Sequence, residues 1–191
     1  MPILLLQIAV VQVGVPFRAG LDATLSGDTY VIQMRDTSSP VVSTEQLARA
    51  DVQLKTGHHQ VLPGDILFRS RGQSTTASIV REALPNTIAA APLMRIRVTA
   101  TNLVLPEYLN WYLNQRPAQA YFTNNAKGTM QMMVDKSTLE NLEVAVPSLE
   151  KQHQIVALAD LMDQEQSLMQ KLSDKHRQRT NRLLLKLAEN A

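Results

Sequence analysis

Apolar and polar residues alternate in short bursts through most of this chain of 191 residues, then settle into a helical period that runs to its end. Seven runs read as strands: Gln12 to Phe17, Thr29 to Gln33, Gln60 to Leu62, Asp65 to Phe68, Ser78 to Arg81, Met94 to Val98 and Leu142 to Val146. Many are rich in Val and Ile and are bounded by Gly, Pro, Asp or Ser, the residues that turn a chain. Helical patches lie between them. "STEQLARAD" opens with Ser43 and has Gln46 three residues on, the spacing of a capping box. "LPEYLNWYLNQRPAQAYF" puts Pro106 where a first helical turn tolerates it and sets Tyr108, Leu109, Tyr112 and Leu113 on one face. "DKSTLENL" predicts a short helix capped by Asp135. The pattern predicts an α+β domain with a twisted, mixed or antiparallel sheet.

The period changes at Pro147. Pro147 closes a strand, Ser148 suits an N-cap, and Glu150 sits where the helix dipole favours an acid. Neither Pro nor Gly occurs from there to about Ala188. Such a helix is about 60 Å long, while a globule of residues 1–147 has a radius of gyration of about 15 Å, so an overhang is expected. Its apolar stripe holds Ile155, Leu158, Met162, Met169 and Leu172, widened by Leu161 and Leu168 and interrupted by Glu165. At roughly 1.5–3 kcal/mol for each side chain left wet, the seven together forfeit on the order of 10 kcal/mol. A partner helix is therefore expected.

Charge suggests its direction. Glu150, Asp160, Asp163 and Glu165 face one base, Lys151, in the first half; Lys171, Lys175, Arg177, Arg179, Arg182 and Lys186 face one acid, Asp174, in the second. Two antiparallel copies set acid against base at both ends, and two parallel copies set like against like. The same order also complements the helix's own dipole.

Composition narrows the chemistry. A hydrophobic content of 45%, a charged content of 19% and a net charge of +2 describe an ordinary folded protein. No cysteine is present, which excludes disulfides, a thiolate nucleophile and Cys-ligated zinc, and fits a cytoplasmic location. The opening "MPILLLQIAVVQVGV" has no Lys or Arg before Arg18 and is too short to span a bilayer, so it reads as a buried helix-to-strand segment and no membrane role is expected.

The seven glycines form neither GxGxxG nor a P-loop. His58 and His59 are adjacent, and His153 and His176 lie 23 residues apart, spacings that do not suit a metal. No GxSxG elbow occurs, and Asp65 lacks a following Glu-x-Lys that would complete a nuclease motif. No catalytic residue, metal or cofactor is expected. The chain reads as a binder.

Two polar loops offer groups suited to nucleic acid. "LPGDILFRSRGQSTT" carries Arg69, Arg71 and Gln73 around Gly72, and "NNAKGTMQMM" carries Lys127, Thr129 and Gln131 around Gly128. Arginine is the planar donor for phosphate and guanine edges, and amides and hydroxyls read bases. Solvated surface loops share this composition.

These residues resemble a family. "VLPGDILFRSRGQ", and above all "GTMQMMVDKSTLENLEVAVPSLEKQHQIVALADLMD" with its Leu-Glu-x-Gln opening a long helix, are similar to type I restriction-modification specificity subunits. The opening "LLLQIAVVQVGVPFRAG" with "DTYVIQMRD" is similar too. The resemblance implies a DNA-binding target recognition domain over 1–147 and a conserved-region helix over 148–191 that pairs antiparallel with a second such helix. It also implies that catalysis belongs to separate methyltransferase and motor-nuclease subunits.

Family members carry two recognition domains and two helices; this chain has one of each. A homodimer restores the layout and predicts a palindromic, bipartite duplex target; pairing with a different specificity chain, or a degraded remnant, are the other outcomes. Arg69, Arg71, Gln73, Lys127, Thr129 and Gln131 are the expected DNA contacts, with Arg35 of "VIQMRD" a further candidate. Ile155, Leu158, Met162, Met169 and Leu172 are the expected partner-helix contacts. The alternatives are an oligomeric scaffold without DNA function and a stand-alone DNA-binding protein.

Overall fold

The computed structural model describes residues 2–17, 27–52, 57–72, 75–82, 85–128 and 132–189. The chain divides into two compact units, Met1–His153 and Gln154–Ala191. In the first unit the elements run β1 (Pro2–Leu4), α1 (Leu5–Ile8), β2 (Ala9–Val13), β3 (Thr29–Ile32), β4 (Ala48–Ala50), β5 (Ile66–Arg69), β6 (Arg71–Gly72), β7 (Ala77–Ile79), β8 (Thr87–Ala89) and β9 (Leu93–Val98). They continue with α2 (Pro106–Leu113), α3 (Arg116–Asn125), β10 (Met132–Met133), α4 (Lys136–Glu140) and β11 (Glu143–Ala145). Helix α5 (Leu149–Glu189) follows and enters the second unit. The expected α+β class, with mixed pairing and a long terminal helix, is the one that forms.

The central sheet is antiparallel, in the order β2-β9-β5-β7. Strands β5, β7 and β9 are buried on both faces, which explains the nearly unbroken apolar runs of β5 and β9, whereas the edge strand β2 leaves Val10 and Val13 exposed. Ile66 lies opposite Ile96 and Phe68 opposite Met94 on one face, where the Phe68 and Phe122 rings sit 4.9 Å apart. On the other face Leu67 and Leu93 join Ile32, Val42, Val61, Val80 and Ala89 in one cluster. That cluster ties the central sheet to a second, mixed sheet, β4-β3-β8, in which β3 runs antiparallel to β4 and parallel to β8. Gly14 sits at the junction: a Cβ there would lie 2.7 Å from the Ala89 carbonyl oxygen and 2.8 Å from that of Leu93, so only glycine fits without backbone movement.

Free edges and loose ends are satisfied by side chains. The Asn114 amide accepts from the Ala77 N–H at 3.0 Å and donates to its carbonyl at 2.9 Å, imitating a neighbouring strand along the β7 edge. Strand β1 pairs with β11, Pro2 opposite Ala145 and Leu4 opposite Glu143. Helix α2 pins that pair, since the Tyr112 hydroxyl donates to the Glu143 carbonyl at 3.2 Å and the Tyr108 hydroxyl donates to that of Ala145. Burial pushes the Tyr108 hydroxyl up to about 12, so it remains a donor across the working range of pH.

Several expectations are corrected in detail. "STEQLARAD" is not helical: the chain turns at Glu45 and Gln46 and runs into β4. The Val42 N–H donates to the Ile79 carbonyl and the Ser43 N–H to that of Asp36, drawing the segment into the sheets and overriding its modest helix propensity. The patch after Pro106 splits into α2 and α3, because Pro117 cannot continue a helix and sits instead in the first turn of the next. The strand expected at Gln12 to Phe17 lies instead at Ala9–Val13, after the additional strand β1, and Gln60 forms only an isolated bridge with Ile88. The opening segment does run from helix to strand, with Leu5 and Ile8 buried.

The described residues of the second unit are all helical. Along it Ile155 is half-buried, whereas Leu158, Met162, Met169 and Leu172 are 58–62% exposed.

Candidate nucleic-acid interface

The two polar loops, nearly sixty residues apart in sequence, meet in one small β-ribbon. The first is launched from a tight turn at Pro63 and Gly64, whose φ of +85° suits glycine. Asp65 fastens this turn by accepting the Leu62 N–H at 2.8 Å. Strand β5 follows, and after Ser70 the chain enters β6. Strand β10 pairs antiparallel with β6, placing Met133 opposite Arg71 and Met132 opposite Gly72. Lys127 then bridges the other side of Met133: the Lys127 N–H donates to the Met133 carbonyl at 2.9 Å and the Met133 N–H to that of Lys127 at 3.0 Å. The Val134 N–H, donating to the Ser70 carbonyl at 2.9 Å, anchors the ribbon to the domain.

Directly opposed residues of a ladder share a face. Arg71, Met133 and Lys127 therefore form one row, and all three are exposed. The Arg71 Nη2 lies 3.2 Å from the Met133 sulfur. The Lys127 Nζ lies 2.7 Å from the Asp135 Oδ2. Asp135 is also the N-cap of α4, accepting from the Thr138 N–H at 2.8 Å and from the Ser137 hydroxyl at 2.9 Å. Lys127 first, and these donors after it, hold the Asp135 carboxyl well below the usual carboxylate range. Surface ion pairs of this kind contribute little in water, so Lys127 can exchange Asp135 for another anion at small cost.

Arg69 has a different position from Arg71. It is half-buried, its Nε donates to the Thr37 hydroxyl at 3.2 Å, and its Nη2 donates to the Met34 carbonyl. It thereby holds the 3-10 turn Met34–Thr37 on which Arg35 stands. The Arg35 side chain is 53% exposed, with its Nε 3.5 Å from the Asp36 Oδ1. Burial raises the Asp36 pKa, against the opposing pull of the Gln33 N–H and Arg35. The structure thus brings Arg71 and Lys127 together and turns Arg69 toward the Arg35 turn. Gln73, Thr129 and Gln131 lie outside the described residues.

Two residues of consequence escaped the sequence reading. Met133 belongs to the exposed row only through ladder register, which no local pattern reveals. Gln152 is the final residue of the Leu-Glu-x-Gln segment, and nothing in its local pattern marks it as buried. It is fully buried. Its Oε1 accepts the Leu105 N–H at 2.9 Å, and its Nε2 donates to the carbonyls of Leu103 and Pro147, each at 2.8 Å.

Among the described residues no group of three or more His, Cys, Asp or Glu side chains stands ready for a metal ion. His59 instead pairs through Nδ1 with the Gln12 amide nitrogen at 3.1 Å. No described helix is long and apolar enough to cross a membrane.

Comparison with known proteins places this geometry. The chain is similar to the type I restriction-modification system S subunit from M. genitalium: TM-score 0.59, 15% identity, 86% of this chain and 39% of that one. It is similar to the HsdS subunit from Thermoanaerobacter tengcongensis, with TM-score 0.60, 18% identity, 86% of this chain and 37% of that one. A third likeness, at TM-score 0.68 and 16% identity, is to a chain solved for the complex assembly and conformational transition of the type I R-M system, covering 96% of this chain and 43% of that one. These likenesses show a shared fold, and the chain spans roughly two-fifths of the length of each solved chain. No curated protein matches the sequence. A family model described as the type I restriction modification DNA specificity domain matches residues 24–175, far more than half of the molecule, and the chain belongs to that family.

Proposed function

We propose that this protein is the sequence-reading component of a type I restriction-modification system. In this reading residues 1–147 recognise duplex DNA and residues 148–191 pair with a second helix that sets the distance between two readers. The observation that carries it is the ribbon: two cations, Arg71 and Lys127, share one exposed face across paired strands from distant parts of the chain. A two-stranded β-ribbon fits the major groove of B-DNA, and family membership supports DNA as the partner. Gln73, Thr129 and Gln131 extend the same contact set in sequence, and Arg35 and Arg69 supply a neighbouring one. Methyl transfer and cleavage fall to methyltransferase and motor-nuclease subunits, so this chain carries no catalytic step and works in the cytoplasm.

The test is duplex binding at several salt concentrations after selection from random sequences. A preferred sequence is expected, with the logarithm of the binding constant falling by about 0.9 per decade of salt for each neutralised phosphate. Changing Arg71 and Lys127 together to alanine should reduce that slope by about 2. Equal affinity for all duplexes, or no change of slope, would count decisively against the interface.

The partner of the second unit is a second copy of this chain, running antiparallel. Exposed Leu158, Met162, Met169 and Leu172 supply the apolar seam, and the acidic first half of the helix meets the basic second half of its counterpart. Two such chains form a twofold reader for a palindromic, bipartite site. Changing Met162 and Met169 to glutamate should turn a dimer into a monomer in sedimentation. A mass unaffected by both changes rules out pairing through this stripe.

A further inference from the structure

We infer that Met133 is a specificity-determining residue that reads the C5-methyl group of a thymine in the major groove. The inference rests on the proposed role in DNA recognition and names what one side chain of that interface detects.

The argument begins with an oddity of composition. The exposed row Arg71, Met133, Lys127 has an apolar side chain at its centre and a cation on each side. Met133 is 36% exposed, and it is the middle strand's contribution, so its flanks are already occupied by the ladder. Both its backbone N–H and its carbonyl are bonded to Lys127, which fixes the direction in which the side chain leaves the strand. Met132, next along the strand, points to the opposite face and is half-buried, as the alternation of a strand requires. Gly72 and Gly128, with φ of +143° and +96°, leave the neighbouring strands without bulk beside the row. Met133 therefore lies on the open face of the row, its sulfur against the Arg71 guanidinium, where a docked partner would meet it.

The width of the row selects the groove. Opposed residues in a ladder have Cβ atoms about 5 Å apart, so Arg71 and Lys127 stand about 10 Å from each other. That span enters a major groove about 12 Å wide and is excluded from a minor groove about 6 Å wide. With the two cations directed at phosphates or acceptor atoms, the central side chain meets the base edges. A thioether offers no hydrogen bond of consequence, and the apolar feature on that floor is the methyl of thymine. Methionine's three rotatable bonds and polarisable sulfur let it close on such a group.

The experiment uses the full chain and synthetic duplexes. Selection from random duplexes first defines the preferred sequence of the unaltered protein and of Met133→Ala, an exposed change that thermal melting should show to be structurally harmless. One thymine position is expected to lose its preference in the variant. Replacing that thymine by deoxyuridine, which lacks only the methyl, should weaken binding of the unaltered protein about fourfold, the worth of one buried methyl. The same replacement should leave Met133→Ala binding unchanged, and Met133→Leu should keep the discrimination. The salt slope should stay the same in all three, because Met133 carries no charge. If Met133→Ala selects the same sequence and still discriminates deoxyuridine, the assignment of Met133 is overturned while DNA recognition stands. If the unaltered protein selects no sequence at all, both fall together.

Discussion

Replacing Gln152 with leucine is expected to destabilise the first unit by about 3 kcal/mol, although leucine fills a similar volume and is more hydrophobic. The fully buried Gln152 amide makes three hydrogen bonds: one from the Leu105 N–H and two to the carbonyls of Leu103 and Pro147. Each bond contributes about 1 kcal/mol, and a buried group left without a partner costs about 1–3 kcal/mol. Leucine would strand all three. The partners also matter by position: Leu105 immediately precedes α2, and Pro147 lies two residues before α5. One amide thus joins the entrance of one helix to the entrance of another. Denaturant unfolding should show a lower midpoint with the slope retained. A midpoint equal to that of the unaltered protein would mean that water replaces the amide and that the site is less closed than its burial implies.

Asp65→Ala should cost a similar amount, about 3 kcal/mol, by a different route. The Asp65 carboxylate is 1% exposed and is gripped by Arg97 at two points, Nε to Oδ1 and Nη2 to Oδ2, both at 2.6 Å. Removing one member of a buried pair typically costs about 3–5 kcal/mol, because the other charge is left without compensation. Arg97 is about one-third exposed, which places the expectation at the lower end of that range. A second cation adds to the loss. Burial, and then Arg97, lower the pKa of Arg95 two residues away on β9, and Asp65 partly offsets them. Without Asp65 the two neighbouring guanidinium groups keep the neutral acceptors Gln12 Oε1 and the Gln60 carbonyl. Asp65→Asn, which can still accept the Leu62 N–H, should lose less than Asp65→Ala. Equal losses in the two variants would show that the ion pair carries the effect and the Leu62 contact does not; a loss confined to Asp65→Ala would show the reverse.

The fate of Asp65 shows what the sequence makes legible. As an acid after Pro-Gly it marked a turn, and the turn is there; its bridge to Arg97 depends on strands that pair across more than thirty residues. Strands such as Ile66–Arg69 and Leu93–Val98 were readable because burial on both faces writes long apolar runs. Helix α4 was readable because Asp135 caps it within three residues. Strand β4 was not, since its residues favour helix locally and the competing force is pairing with β3. Strands β6 and β10, two residues each, carry no period at all. For the same reason the sequence pointed to polar neighbours in the second loop and passed over Met133, whose importance comes from the residues it stands between.

The pairing of β1 with β11 constrains how the molecule is made. Pro2, Ile3 and Leu4 meet partners at Ala145, Val144 and Glu143, so this strand must wait for partners synthesised about 140 residues later. At about 5–20 residues per second that interval is roughly 7–30 s. During it the apolar segment after Pro2 has no strand to join, and closure across so long a separation is slow to find. Biogenesis of this protein therefore includes a window in which an unpaired apolar strand must be shielded until its distant mate has been synthesised.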